Sequence, residues 1–316
     1  MRLAPFLCLA LAAGLSLPAC ADRYSFALIG DIPYSRFERE VLPDLLAEIG
    51  REDLAFVTHD GDIKDGSSVC SDAVYIDIRG VFQASHHPLV YVPGDNEWTD
   101  CHRANNGGYD PQERLDRLRE FFFSGDEALG QRPLRLERQS AEPAFAEFRE
   151  NVRWQVGRAL FVGLNVPGSN NNWGPAKAPS AEHVARGRAN RAWLAAAFAR
   201  AREHQLAGIL IVIQANPDLE SAKRRGDRPN GYAEFLDQLR AETQAFAGQV
   251  VLVHGDTHYH RIDRPLKDPL SGATLANFTR VETYGSPFIG WVRGTVDDSD
   301  PQVFRFESRP FSVQKR

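Results

Sequence analysis

Apolar and polar positions come in blocks along this chain of 316 residues. Nearly continuous apolar runs occur at 24–30 (Y-S-F-A-L-I-G), 54–58 (L-A-F-V-T), 88–92 (P-L-V-Y-V), 208–213 (G-I-L-I-V-I) and 249–253 (Q-V-V-L-V). Runs of that length and composition predict strands buried on both faces. Between them apolar residues recur at helical spacing. Phe37, Val41, Leu42, Leu45, Leu46 and Ile49 predict a helix over 37–49, stopped by Gly50. Further helices are predicted over 72–83, 111–123, 181–204 and 231–247. The polar stretch before position 150 reads as a surface excursion, and 152–166 as a hairpin turning at Gly157-Arg158. The segment 168–175 (G-S-N-N-N-W-G-P) is a loop by composition. Short strands crowd the tail after 274, with few helices between them, and predict a second sheet. Strands alternating with helices over most of the chain make this an α/β layout.

The five apolar runs share one feature. Each leads straight into acidic, amide or histidine residues. The first ends in G-D-I-P-Y (Asp31), the second in H-D-G-D-I-K-D (Asp60, Asp62, Asp65), the third in G-D-N-E-W (Asp95, Asn96, Glu97). The fourth ends in Q-A-N-P-D (Gln214, Asn216) and the fifth in H-G-D-T-H (Asp256, His258). Functional groups of open α/β sheets collect where strands end. A single Gly-Asp is ordinary turn or cap chemistry. Five such junctions bring at least four carboxylates and an imidazole toward one crevice, and that much like charge calls for a cation.

Composition adds a compartment. The first 21 residues hold one early Arg, an apolar stretch and small residues, as in a secretory signal peptide, leaving 22–316 as one domain. Ala19-Cys20-Ala21 offers a cleavage site, and Leu17-Pro18-Ala19-Cys20 a lipobox that would place a lipid anchor on Cys20. Either way the protein is expected to be exported: periplasmic, secreted or lipoprotein-anchored. No other apolar run is long enough to span a membrane. The mature chain then keeps two of its four cysteines, Cys70 and Cys101, and an oxidising compartment predicts a disulfide between them. The formal charge of −5 offers no basic excess for a phosphate backbone, so no nucleic-acid partner is expected.

G-D-I-P-Y, G-D-I-K-D-G, G-D-N-E, Q-A-N-P and G-D-T-H resemble, in order and rough spacing, the motifs of the calcineurin-like metallophosphoesterases, over about residues 25–295. The resemblance implies a four-layer α-β-β-α sandwich of two mixed sheets flanked by helices. It also implies a dinuclear site in which Asp62 bridges, Asp31 and His258 bind the first metal, and Asp95, Asp256 and Gln214 face the second. This chain departs from the family's pattern where histidines are expected. Pro33 stands for the first, leaving Tyr34 or Asp65 to compensate; Asn96, Gln214 and Asp256 stand for others. Oxygen-rich ligands favour harder cations, so Mn, Mg or Ca is expected ahead of Zn, with Fe also considered.

The implied activity is hydrolysis of a small phosphorylated substrate by a hydroxide generated at the metals. Asn96 donates hydrogen bonds but transfers no useful proton, so His254, His102 or Lys64 is expected to serve the leaving group. Alternatives from other classes are a non-catalytic metal-containing binding protein on the same fold and a single-metal hydrolase. The arginines at 186, 188, 191, 200 and 202 are expected on a solvated helix face, and His260 is expected to point away from the site.

Overall fold

The computed structural model describes residues 23–220 and 229–312. The expected signal peptide and the lipobox cysteine lie outside them. β1 (Arg23–Ile29), β2 (Val57–His59) and β3 (Leu89–Tyr91) run parallel in a five-stranded sheet. α1 (Arg36–Ile49) and α2 (Asp72–Gln83) connect them, and α3 (Pro111–Phe122) follows. Local chemistry sets the helix starts. Ser35 accepts from Glu38 N to cap α1, and Asp110 accepts from Gln112 N before Pro111 opens α3.

The second sheet has seven strands. β4 (Glu137–Arg138), β5 (Val152–Val156) and β6 (Ala159–Gly163) pair antiparallel in sequence, the last two as the expected hairpin. β6, β7 (Gly208–Val212) and β8 (Gln249–His254) then run parallel, separated by α4 (Ala181–Glu203) and α5 (Ala233–Ala245). β10 (Phe278–Glu282) lies parallel to β8, with β9 (Arg261–Asp263) antiparallel at its edge. Both sheets are mixed.

The tail strands do not form a sheet of their own. β11 (Gly290–Asp297) and β12 (Phe304–Pro310) return to the first sheet, β11 antiparallel to β1, while β10 completes the second. The five apolar runs likewise fall in two sheets, three in one and two in the other. Each sheet turns one face to its own helices and the other to its partner sheet. Ile29, Val57 and Leu89 pack with α1, α2 and α3, and Leu160, Ile209 and Leu252 with α4 and α5. Phe26, Phe56, Trp154 and Phe161 fill the space between the sheets, with Phe56 and Phe161 edge to face at 4.8 Å. This is the α-β-β-α sandwich. Its layering explains why the strands read as apolar throughout, since both faces of each are covered.

The excursion before 150 is less superficial than its polarity suggests. Leu136, Arg138, Gln139, Phe148 and Glu150 are buried in it. Arg119 from α3 forms a two-pronged ion pair with Glu150 there.

Candidate metal centre

The parallel strands of both sheets end at one edge of the sandwich, and the polar junctions meet there. Asp31 follows β1, Asp62 β2, Asp95 β3, Gln214 β7, and Asp256 with His258 β8. The two sheets touch here: Asp256 N, after β8, donates to both carboxylate oxygens of Asp31, after β1, at 3.1 Å, while Gly255 N donates to Gln214 O at 3.0 Å within the second sheet.

The backbone is forced into unusual shape here. Asp31, Asp62, Asp256 and His258 have φ of 48°, 58°, 77° and 59°. Non-glycine residues seldom adopt that left-handed region, and when they do they cluster at functional sites. Close approach also demands glycine. A Cβ on Gly94 would stand 2.1 Å from Asp62 Oδ1.

Asp62 lies at the centre. Its Oδ2 accepts from Tyr34 OH at 2.6 Å and from Asn96 Nδ2 at 2.7 Å. Asn96 N–H reaches Oδ1 at 3.2 Å, and Asn96 Nδ2 also meets the Tyr34 hydroxyl at 2.9 Å. That hydroxyl is 3.4 Å from Asp31 Oδ1, so Tyr34, one of the two residues expected to compensate for the missing histidine, reaches both carboxylates. Asp65, the other, turns away to accept from Ser67. His258 donates from Nδ1 to Ser286 O at 2.6 Å, since a carbonyl only accepts, and presents Nε2 to Asp31 Oδ1 at 3.7 Å.

On the other side Asp95 Oδ2 meets the Ser169 hydroxyl at 2.8 Å, and Ser169 also contacts Asp100 at 2.7 Å. Asp256 accepts from Asn216 N. Burial, first, and then neighbouring carboxylates push the site's acids up. Asp31 is raised by burial and Asp60, Asp62 by burial and Asp95, and Asp95 to about 8 by burial and Asp256.

Three expected proton donors sit differently. His254 is wholly buried, donates from Nδ1 to Gly255 O, and is held near 3 by burial, with Glu282 its neighbouring carboxylate. This placement argues against proton transfer by His254. Lys64 is buried and spends its ammonium on the carbonyls of Asp65 and Asn96. His102 is exposed, with Nδ1 on Thr99 O, which leaves Nε2 for exchange with solvent. His260 points away, as expected, onto Glu282 O and Ser308.

The disulfide between Cys70 and Cys101 is formed, Cα to Cα 5.8 Å, and ties the loop after Asp62 to the loop after Asp95. Both sulfurs lie against Asn96 O.

No family model matches the chain, and no curated protein sequence matches it. Its shape is more informative. A dimetal phosphatase from Danio rerio superposes with TM-score 0.57 at 15% identity, over 91% of this chain and 96% of that one. The fold is that of the calcineurin-like metallophosphoesterases. A purple acid phosphatase from yellow lupin seeds gives TM-score 0.50 at 13% identity, over 93% of this chain and 55% of that one. At such identities the metallophosphoesterase likeness is one of fold.

Among the described residues, no three His, Cys, Asp or Glu side chains form a ready-made coordination shell. The donor chemistry nonetheless suits a hard cation. Buried carboxylates repel one another, and His258 Nε2 faces Asp31 without a proton when the ring is neutral. Asp31, Asp62 and His258 would be the donors to one ion, and Asp62, Asp95 and Asp256 to a second, although no three of them are already drawn together.

Sequence reasoning missed two groups that build this wall. Ser169 opens four consecutive residues, Ser169 to Asn172, with φ between 49° and 57°, a left-handed turn over Asp95. Arg186 is fully buried rather than solvated and bonds Asn171 O, Asn171 Oδ1, Asn165 O and Glu182 to hold that turn. Asn-rich composition signalled a loop and nothing more. Alanine-rich spacing around Arg186 hid its burial.

Proposed function

We propose that this protein is an exported, metal-dependent phosphoric ester hydrolase with a dinuclear site. The observation that carries the reading is the convergence of four aspartates from four strand ends, three of them buried with raised pKa, on the metallophosphoesterase fold. Divalent cations held there would supply positive charge to the phosphoryl oxygens and acidify the attacking water. The chain's own groups do the rest. Tyr34 and Asn96 orient Asp62. Lys64 fixes the carbonyl of Asn96 and so its place in the loop. Asn96 stands beside Asp62 as a donor without a transferable proton, which biases the enzyme toward leaving groups that need little protonation. His102, exposed beside the disulfide, is the remaining candidate to carry a proton.

Export rests on the leader-like N-terminus and the Cys70–Cys101 disulfide. No helix among the described residues is long and apolar enough to cross a membrane.

The test is hydrolysis of aryl phosphate mono- and diesters with Mn, Mg, Ca, Fe and Zn supplied separately. Turnover dependent on a harder cation supports the reading. No turnover with any cation, together with no bound metal, would sink the enzyme reading.

A further inference from the structure

Gln214 is wholly buried in the crevice wall. Its Cγ lies 2.7 Å and 2.8 Å from where a Cβ would stand on Gly61 and Gly94, so the ends of β2 and β3 leave room for it only as glycine. Gly168 N–H donates to Gln214 Oε1 at 2.6 Å. A backbone N–H cannot accept, so this bond settles which end of the amide is oxygen. Nε2 is the other end. It is buried and has no hydrogen-bond partner among the described residues. A dry, unpaired amide donor is costly, and such groups in native proteins call for a partner.

We propose that Gln214 is a fixed N–H donor to a phosphoryl oxygen of the bound substrate or product, and not a metal ligand. The proposal rests on the phosphoesterase reading above. An amide nitrogen has no lone pair to give a cation, and the amide oxygen is committed to Gly168. The nearby carboxylates already have donors of their own, Asp62 from Tyr34 and Asn96, Asp95 from Ser169. A phosphoryl oxygen of the bound ligand would supply the acceptor that Nε2 lacks. A second ion would then be held by the oxygens of Asp62, Asp95 and Asp256, without Gln214.

The experiment compares wild type with Gln214→Met, which keeps the volume and loses both polar ends. Mn²⁺ binding is followed by electron paramagnetic resonance, and inorganic phosphate binding to the Mn-loaded protein by calorimetry. The variant is expected to keep the wild-type Mn²⁺ stoichiometry and affinity while binding phosphate about tenfold or more weakly, as for a lost hydrogen bond to a charged group. Loss of Mn²⁺ would make Gln214 a ligand and overturn the proposal. Unchanged phosphate affinity would overturn it too, leaving Nε2 to an ordered water. Should the variant not fold, the side-chain NH₂ resonance of Gln214 in Mg²⁺-loaded wild type decides: a shift on adding phosphate supports the proposal, and none refutes it. Wild type that binds neither Mn²⁺ nor phosphate refutes the phosphoesterase reading as well. Binding of both by wild type with no effect at Gln214 refutes only this inference.

Discussion

The site's ligand candidates sit in backbone shapes that L-residues resist, at about 1–2 kcal/mol each for left-handed φ. Asp31 and Asp62 keep that shape because donors from other strands hold them, Asp256 N for one and Tyr34 with Asn96 for the other. Residues therefore differ in what their loss should do. Asp62→Ala removes the central carboxylate and should cut kcat/KM on an aryl phosphate by on the order of 10³-fold. Asn96→Ala removes one donor and should cost about tenfold. Equal losses would show that Asn96 does more than orient Asp62. Tyr34→Phe keeps the ring against His258 at 4.9 Å and removes the hydroxyl. It should destabilise the metal-free protein by about 1–3 kcal/mol in denaturant melts, because Asp62 loses a buried donor. Asp31, Asp62, Asp95, Asp256 and His258 could be read from the sequence because strand ends advertise them. Gln214 could be placed but not oriented, since the direction of an amide depends on Gly168, a residue 46 positions away.

Loops, more than strands, build the crevice walls. The disulfide closes a separation of 31 residues and clamps both loops that present Asp62 and Asp95. Replacing Cys70 and Cys101 by Ser should lower unfolding free energy by about 3–4 kcal/mol. The left-handed turn from Ser169 to Asn172 hangs on Arg186. Arg186→Lys cannot reproduce five planar donations and should destabilise by about 3–5 kcal/mol while loosening the hold on Asp95, as seen by a fall in both melting temperature and kcat. Regular elements were legible because their periods are local: helix 72–83 appears with the same bounds, and the hairpin turns where expected. Sheet membership was not. Whether a tail strand joins β1 or β8 depends on long-range pairing that no short window contains.

As a whole, the metal-free molecule is a charge store. Asp95 holds its proton up to about 8 in the fold against 3.8 ordinarily, so the folded state binds more protons across that window and stability falls as pH rises through it. His59 is buried and lowered from 6.5 to about 4, so the unfolded chain binds more protons there and stability falls as pH drops from 6.5 to 4. Between about pH 4 and 6.5 these two slopes oppose each other, so from this pair the melting temperature of the metal-free protein should change little there and fall as pH rises from 6.5 to about 8. Asp95→Asn, or added Mn²⁺, should remove that fall and uncover the His59 decline as pH drops below 6.5. The sandwich brings four acidic strand ends to one edge, where we propose that they hold cations. Anomalous scattering from a crystal grown with Mn²⁺ would show this. One peak is expected among Asp31, Asp62 and His258 and a second among Asp62, Asp95 and Asp256. Absence of any peak between these carboxylates, with Tyr34 and Asn96 still capping Asp62, would contradict it.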